Sequence, residues 1–167
     1  KPVFSGVSEL LKESAHLTKD ILERELQIKL SELHEQWHVA SLERIFIENK
    51  IYRDIEEAET WEEVISFIRT GLEPHVKNLI RAVTDDDIAR LTEIKIKRIS
   101  KFDSTKANDH ILSLEEQIEE VKAHLANIVN YTIDYYKNLK KKYGAGRERK
   151  TEIRTFDDIN AKRVAIA

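Results

Sequence analysis

The sequence predicts an all-α protein: a long antiparallel two-helix coiled coil capped by a small helical globular domain. Three observations predict it. The 167 residues include only four glycines and two prolines, too few for the turn every 8–12 residues or so that a β-sandwich or barrel requires. Two segments far apart in the chain keep a helical hydrophobic repeat over unusual lengths. The residues between them carry helix-capping signals instead of strand alternation.

The first long segment, residues 1–38, reads as an outgoing stalk helix. Val7, Leu10, Leu11, Leu17, Ile21, Leu22, Leu26, Leu30, Leu33 and Trp37 form a broad stripe, and no Gly or Pro interrupts residues 7–70. Residues 39–106 read as a globular head of several shorter helices. In its first part Leu42, Ile45, Phe46, Asn49 and Tyr52 keep helical spacing. Thr60 followed by Glu63 fits a capping box, in which hydroxyl and carboxylate satisfy free amides reciprocally. Gly71 and Pro74 end the helix so begun. Thr84 caps a further helix with Asp85, Asp86 and Asp87 in its first turn, leading into Ile88, Leu91, Ile94, Ile96 and Ile99. The alternation Ile94-Lys95-Ile96-Lys97 is also read as helix, because no partner strand is evident.

The returning stalk helix, residues 107–143, carries the strongest pattern. Ala107, Ile111, Leu114, Ile118, Val121, Leu125, Ile128, Thr132, Tyr135 and Leu139 are spaced by alternating steps of four and three. That average keeps one seam along an underwound helix and favours a left-handed supercoil. At 1.5 Å per residue the helix would be roughly 50 Å long. Asp103 or Ser104 caps its start, Lys140–Lys142 suit the carbonyl end of its dipole, and Gly144 follows as a terminator. Residues 144–167 read as an exit segment toward another domain.

Composition excludes several function classes. Apolar residues at 41% argue against disorder. No apolar run approaches the roughly 18–20 residues of a membrane span. With no cysteine, a disulfide scaffold, a thiolate zinc site and a cysteine nucleophile are excluded together. The net charge of −3 gives no global attraction to nucleic acid. The chain starts at lysine and contains no methionine, so it reads as a segment of something longer.

Four local features carry chemistry. His34-Glu35-Gln36-Trp37-His38 is a formal H-E-x-x-H, whose spacing puts two imidazoles on one helix face with Glu35 available as general base. It is rejected as a metal site. Ser41 and Arg44 stand where a glycine and a third histidine would continue the motif, and no cleft or strand edge is evident. Asp85–Asp87 is better explained by a helix N-terminus than by a cation site, since consecutive helical residues diverge by about 100°. No phosphate-binding glycine loop is present. Between residues 137 and 154, Lys137, Lys140, Lys141, Lys142, Arg147, Arg149, Lys150 and Arg154 stand against Glu148 and Glu152 alone. Such a cluster serves either dipole compensation or phosphate contact. Among nearby tyrosines, Tyr131, Tyr136 and Tyr143 suit stacking, whereas Tyr135 falls on the seam.

Three stretches together resemble the A subunit of bacterial type IIA DNA topoisomerases, gyrase and topoisomerase IV. Residues 84–103, TDDDIARLTEIKIKRISKFD, are similar to that family's L-T-x-x-Q-A-x-A-I-L-x-L-[RK]-L-x-x-L-T-x-L-E segment with isoleucines for leucines. Acids and Ile88 stand for its glutamine-alanine pair, and Lys101 for a glycine. The long heptad helix follows, and residues 143–153, YGAGRERKTEI, are similar to the F-G-D-x-R-[RK]-T-E-I signature closing the family's core. The resemblance implies a coiled-coil stalk and a head that dimerises to form the exit gate for transported DNA. It also implies an ATP-dependent DNA-breaking isomerase as parent enzyme, cytoplasmic and chromosome-associated. Its ATP, its Mg²⁺ and their domains lie on a partner B subunit. No catalytic or cofactor-binding residue carries over. Ile88, Leu91, Ile94 and Ile96 are the residues expected in head packing or the dimer contact, and Arg147, Arg149 and Lys150 those expected near DNA. The competing readings are an antiparallel coiled-coil arm of a chromosome-organising ATPase or adaptor, and a zinc hydrolase on His34 and His38.

Overall fold

The computed structural model describes residues 4–148, 150 and 151. Arg149, Glu152, Ile153 and Arg154, expected in the closing signature or its basic cluster, lie outside the described residues. Every described element is a helix, as the sequence predicts. The chain falls into two compact units, one reaching to Val129 and one starting at Asn130.

In the first unit, α1 (Val7–Glu48) is one helix of 42 residues, roughly 63 Å long. The boundary expected at residue 38 is therefore not a backbone boundary. What changes there is the apolar pattern, because the helix gains the head's core on one side while it stays paired with α5 as far as Glu48. It ends where the Asn49 side-chain amide donates back to the Ile45 carbonyl at 2.9 Å and Lys50 adopts a left-handed φ of 55°. Asp103 caps α5 (Ser104–Ala126) by accepting from the amides of Thr105 and Lys106.

The two helices pair antiparallel. Trp37 Nε1 donates to Glu115 at 2.9 Å, Arg44 to Asn108 at 2.7 Å, and Ser104 to Glu48. Each step up α1, seven residues and then four, is matched by an equal step down α5. Ile111, Leu114, Ile118 and Val121 of the predicted seam are buried, as are Leu22, Leu26 and Leu33 on α1. In contrast, Val7, Leu10, Leu11, Leu17 and Ile21 remain more than half exposed. Continued at the same register, α5 ends opposite residue 26, so these five positions lie beyond its last turn, and the buried subset follows steps of four and seven.

The returning helix is also not continuous. It breaks at Asn127 (φ −126°, ψ 47°), and α6 (Ile128–Tyr143) begins at the next residue. Asparagine has a weak helix preference, because its amide competes for local backbone groups, and two β-branched residues, Ile128 and Val129, follow it. The heptad steps run through this position because periodicity registers side-chain polarity and not backbone angle. In the second unit Thr132 is buried, but the seam residues Tyr135 and Leu139 are 40% exposed. Tyr135 instead meets Tyr136 edge-on, with ring centroids 5.6 Å apart.

The head's core joins the end of α1 to α2 (Trp61–Leu72) and α3 (Asp85–Thr92). Leu42, Phe46, Ile51, Ile68, Leu72, Ile88 and Leu91 fill it. The predicted box forms at α2, where Thr60 and Glu63 exchange both bonds, and at α3 the predicted Thr84 cap is also a box, exchanged with Asp87. Two 3-10 segments, Ile51–Glu57 and Glu73–Asn78, turn the chain on either side of α2. A methyl group on Gly71 would lie 2.9 Å from Ile51 Cγ2, so the glycine permits α2 to seat on the first of them. Residues 94 and 95 lie between helices, and only α4 (Ile96–Ser100) is helical in the alternating stretch predicted as one helix. Lys95 is extended (ψ 139°), which lets Ile94 fold onto the core while Ile96 leaves it.

Candidate functional site

Glu35 and His38 lie one turn apart on the same face of α1. Arg81, in the segment preceding α3, spans from this face to α3. Its Nε and Nη2 donate to the Glu35 carboxylate at 3.1 and 3.0 Å, and its Nη1 and Nη2 donate to Asp87 at 2.6 and 2.9 Å. Asp87 is buried at 4% exposure and also accepts from the Thr84 amide and hydroxyl, both at 3.0 Å. The His38 ring, 1% exposed, sets Nε2 at 3.4 Å from Asp87 Oδ2. Neither ring nitrogen has a hydrogen-bond partner within the described residues. Arg90 reaches Glu35 at 3.5 Å.

This arrangement is a pinned joint between α1 and α3. The Arg81 bonds hold the Asp87 carboxyl far below the usual range against the opposing effect of burial, with the two Thr84 bonds adding to them. Glu35 is lowered for the same first reason, and Arg81 is raised by Asp87 and then by Glu35. The Glu35 that the H-E-x-x-H pattern would use as base is thus a structural acceptor, and Trp37 ties α1 to α5. Among the described residues, no three His, Asp or Glu side chains are grouped to hold a metal ion. The other acids of the triplet go separate ways: Asp85 pairs with Arg69, while Asp87 turns inward. Sequence reasoning missed Arg81. The available signal was an arginine three residues before a Thr-x-x-Asp cap, together with two polar residues at i and i+3 on an otherwise core-facing helix.

The four residues expected in head packing or the dimer contact divide by burial. Ile88 (0%) and Leu91 (5%) are core, Ile94 packs against the core, and Ile96 is 83% exposed. A cleft of about 1240 Å³ opens beside α1, with a wall that includes Glu43, Ile94, Lys97, Arg98, Phe102 and Lys106 but not Ile96. Arg98 bonds Glu43 at 2.7 Å and crosses this space from α4 to α1. Arg147 and Lys150 lie in the second unit and are both exposed.

An all-α fold, an antiparallel helix pair and a capped helical head define a class of helical arm modules. Residues 1–137 match the family model for the A subunit of DNA gyrase and topoisomerase IV. The chain is also 33% identical over 165 residues to the A subunit of DNA topoisomerase 4 from Borreliella burgdorferi, covering 98% of this chain and 26% of that protein. The chain belongs to the DNA gyrase/topoisomerase IV A-subunit family, and it spans about a quarter of the length of this curated relative. No helix among the described residues is long and apolar enough to cross a membrane.

Proposed function

We propose that this segment is the coiled-coil and exit-gate module of the DNA breakage-rejoining subunit of a cytoplasmic type IIA topoisomerase. Two heads meet about a two-fold axis below the strand-passing region. They close behind the transported duplex and part to release it. The observation that carries this reading is the match of residues 1–137 to the gyrase/topoisomerase IV A-subunit family; on the head, Ile96 stands almost wholly in solvent while Ile94 and Ile99 pack against the core. Ile96 is the position at which a contact between heads is tested. A self-complementary contact is the arrangement a homodimer uses.

The pinned joint suits the role. Arg81 bridges Glu35 and Asp87, so a displacement of the head carries α1 with it instead of dissipating at a loose loop. The contact must open in each cycle, which calls for an interface near the lower end of specific ones, about 1,000–1,200 Å². The reading places ATP and Mg²⁺ chemistry on the partner B subunit, outside this chain, and assigns the residues here no bond-making step.

Sedimentation equilibrium tests the proposal. A monomer–dimer equilibrium across micromolar concentrations is expected, and strict monomer at every concentration would count against it.

A further inference from the structure

We infer that a pocket between α1, α3 and α4 binds a small amphipathic carboxylate, with its apolar end inside and its charge at the mouth. The inference goes beyond the gate reading and does not require the heads to dimerise. Behind the cleft that Arg98 crosses lies an inner pocket of about 190 Å³. The two share Val39, Glu43, Arg90, Ile94 and Arg98 in their walls. The backbone makes the space: α3 ends at Thr92, Lys95 is extended, and α4 starts one residue later. Arg98 then reaches back to Glu43 at 2.7 Å as a strap over the inner pocket.

The wall of the inner pocket selects an apolar group. Its polar members are already engaged. Glu43 holds Arg98, Arg90 reaches Glu35 at 3.5 Å, and the Asp87 carboxylate is taken up by Arg81 and Thr84. What is left is Val39, Leu42, Leu91 and Ile94. Leu42 and Leu91 are buried members of the head's core, so the pocket is closed at the back. Its volume exceeds the roughly 150 Å³ of an apolar cavity that accepts benzene. It therefore takes one apolar group of about that size and not a run of polymer.

The mouth selects a negative charge. Lys95, Lys97 and Lys101 are exposed on the wall of the outer cleft, and no acidic side chain among the described residues pairs with them. Lys106 is paired with Asp103 at 3.7 Å. Against the three free lysines stands Glu93, the one acid of that wall with no basic partner among the described residues. This local excess of positive charge occurs in a chain of net charge −3. Lys97 and Lys101 lie one turn apart, on the side of α4 that carries Arg98. Ile94 and Phe102 pack against the core beneath them. An apolar enclosure with a few convergent charges at its rim is the usual construction of a small-molecule site. A phosphate backbone has charge for the mouth but no apolar group for the inner pocket.

Two-dimensional ¹H–¹⁵N NMR of the chain, titrated with sodium 4-phenylbutyrate, tests the inference. Amide signals of Val39, Ile94 and Arg98 should shift and saturate, with a Kd in the low-millimolar range expected of so small a molecule. 4-Phenylbutanol, the same body without the charge, should bind about three- to tenfold more weakly. The Lys97→Gln, Lys101→Gln variant should weaken the acid by a similar factor and leave the alcohol unchanged. The same change at Lys50 and Lys77 should affect neither. Val39→Phe fills the inner pocket and should remove both; if its CD spectrum shows unfolding, the lysine variant and the alcohol decide. No saturable shift at those three residues by about 10 mM would overturn the inference. So would equal affinity for acid and alcohol, an equal loss in the Lys50 and Lys77 control, or shifts centred instead on the exposed Leu10, Leu17 and Ile21. Sedimentation reports on the gate and this titration on the pocket, so either can fail alone.

Discussion

Asp87 carries more polar contacts than any other buried residue described in the head. It closes the capping box of α3, anchors Arg81 and faces His38. Asp87→Ala removes half of the capping box at α3 and leaves Arg81 with Glu35 and the Ala82 carbonyl, so a loss of about 2–4 kcal/mol in unfolding free energy is expected in urea melts. Arg81 is partly exposed and can rehydrate, which keeps the figure below that for a wholly buried pair. The pH dependence has a definite sign. The folded carboxyl lies below its ordinary 3.8, so the folded state binds fewer protons. Its contribution is complete above roughly pH 5 and lost as pH falls through and below about 4. The stability difference between the wild-type chain and Asp87→Asn should therefore be flat at neutral pH and shrink in acid; a difference that grows in acid would contradict the assignment. At this scale the sequence was only half legible. The Thr84 cap could be read directly, whereas His34-Glu35-Gln36-Trp37-His38, rejected as a metal site, left Glu35 without a role. Glu35's true partner lies 46 residues away, and no local spacing reveals it.

Element starts were readable wherever short-range hydrogen bonds fix them. Thr60→Ala should cost about 1 kcal/mol by thermal melting, because the Glu63 amide loses its acceptor; Thr60→Ser should restore most of it. Element continuity was less readable. The heptad pattern passes through residue 127 unbroken although the helix does not, and the apolar pattern shifts at residue 38 although α1 runs on. Asn127→Ala tests whether the break is local. If the residue's own preference causes it, far-UV CD should strengthen and stability should rise by about 0.5 kcal/mol. Unchanged helicity would show that packing imposes the break.

For the molecule as a whole, the decisive contrast is between isoleucines of one short stretch. Ile88 is fully buried and Ile96 almost fully exposed. Ile96→Asp should shift the sedimentation profile toward monomer while leaving the melting temperature within a few degrees, since it buries no charge within the protomer. Ile88→Asp should instead unfold the head, as an unpaired carboxylate in the core costs several kcal/mol. Equal dimerisation by Ile96→Asp and the parent chain would remove Ile96 from the gate contact.

The sequence by itself determined the helical class, the caps at Thr60 and Thr84, a third cap at Asp103 or Ser104, and the seam from Ile111 to Val121. Each depends on neighbours within one or two turns, where residue type and spacing suffice. Tertiary structure alone decided which part of the broad α1 stripe is covered, which isoleucines of the head face solvent, and that Arg81 pins α1 to α3. Those outcomes depend on which surfaces meet across dozens of residues. Burial and ion pairing there are properties of the encounter, and a linear pattern does not encode them.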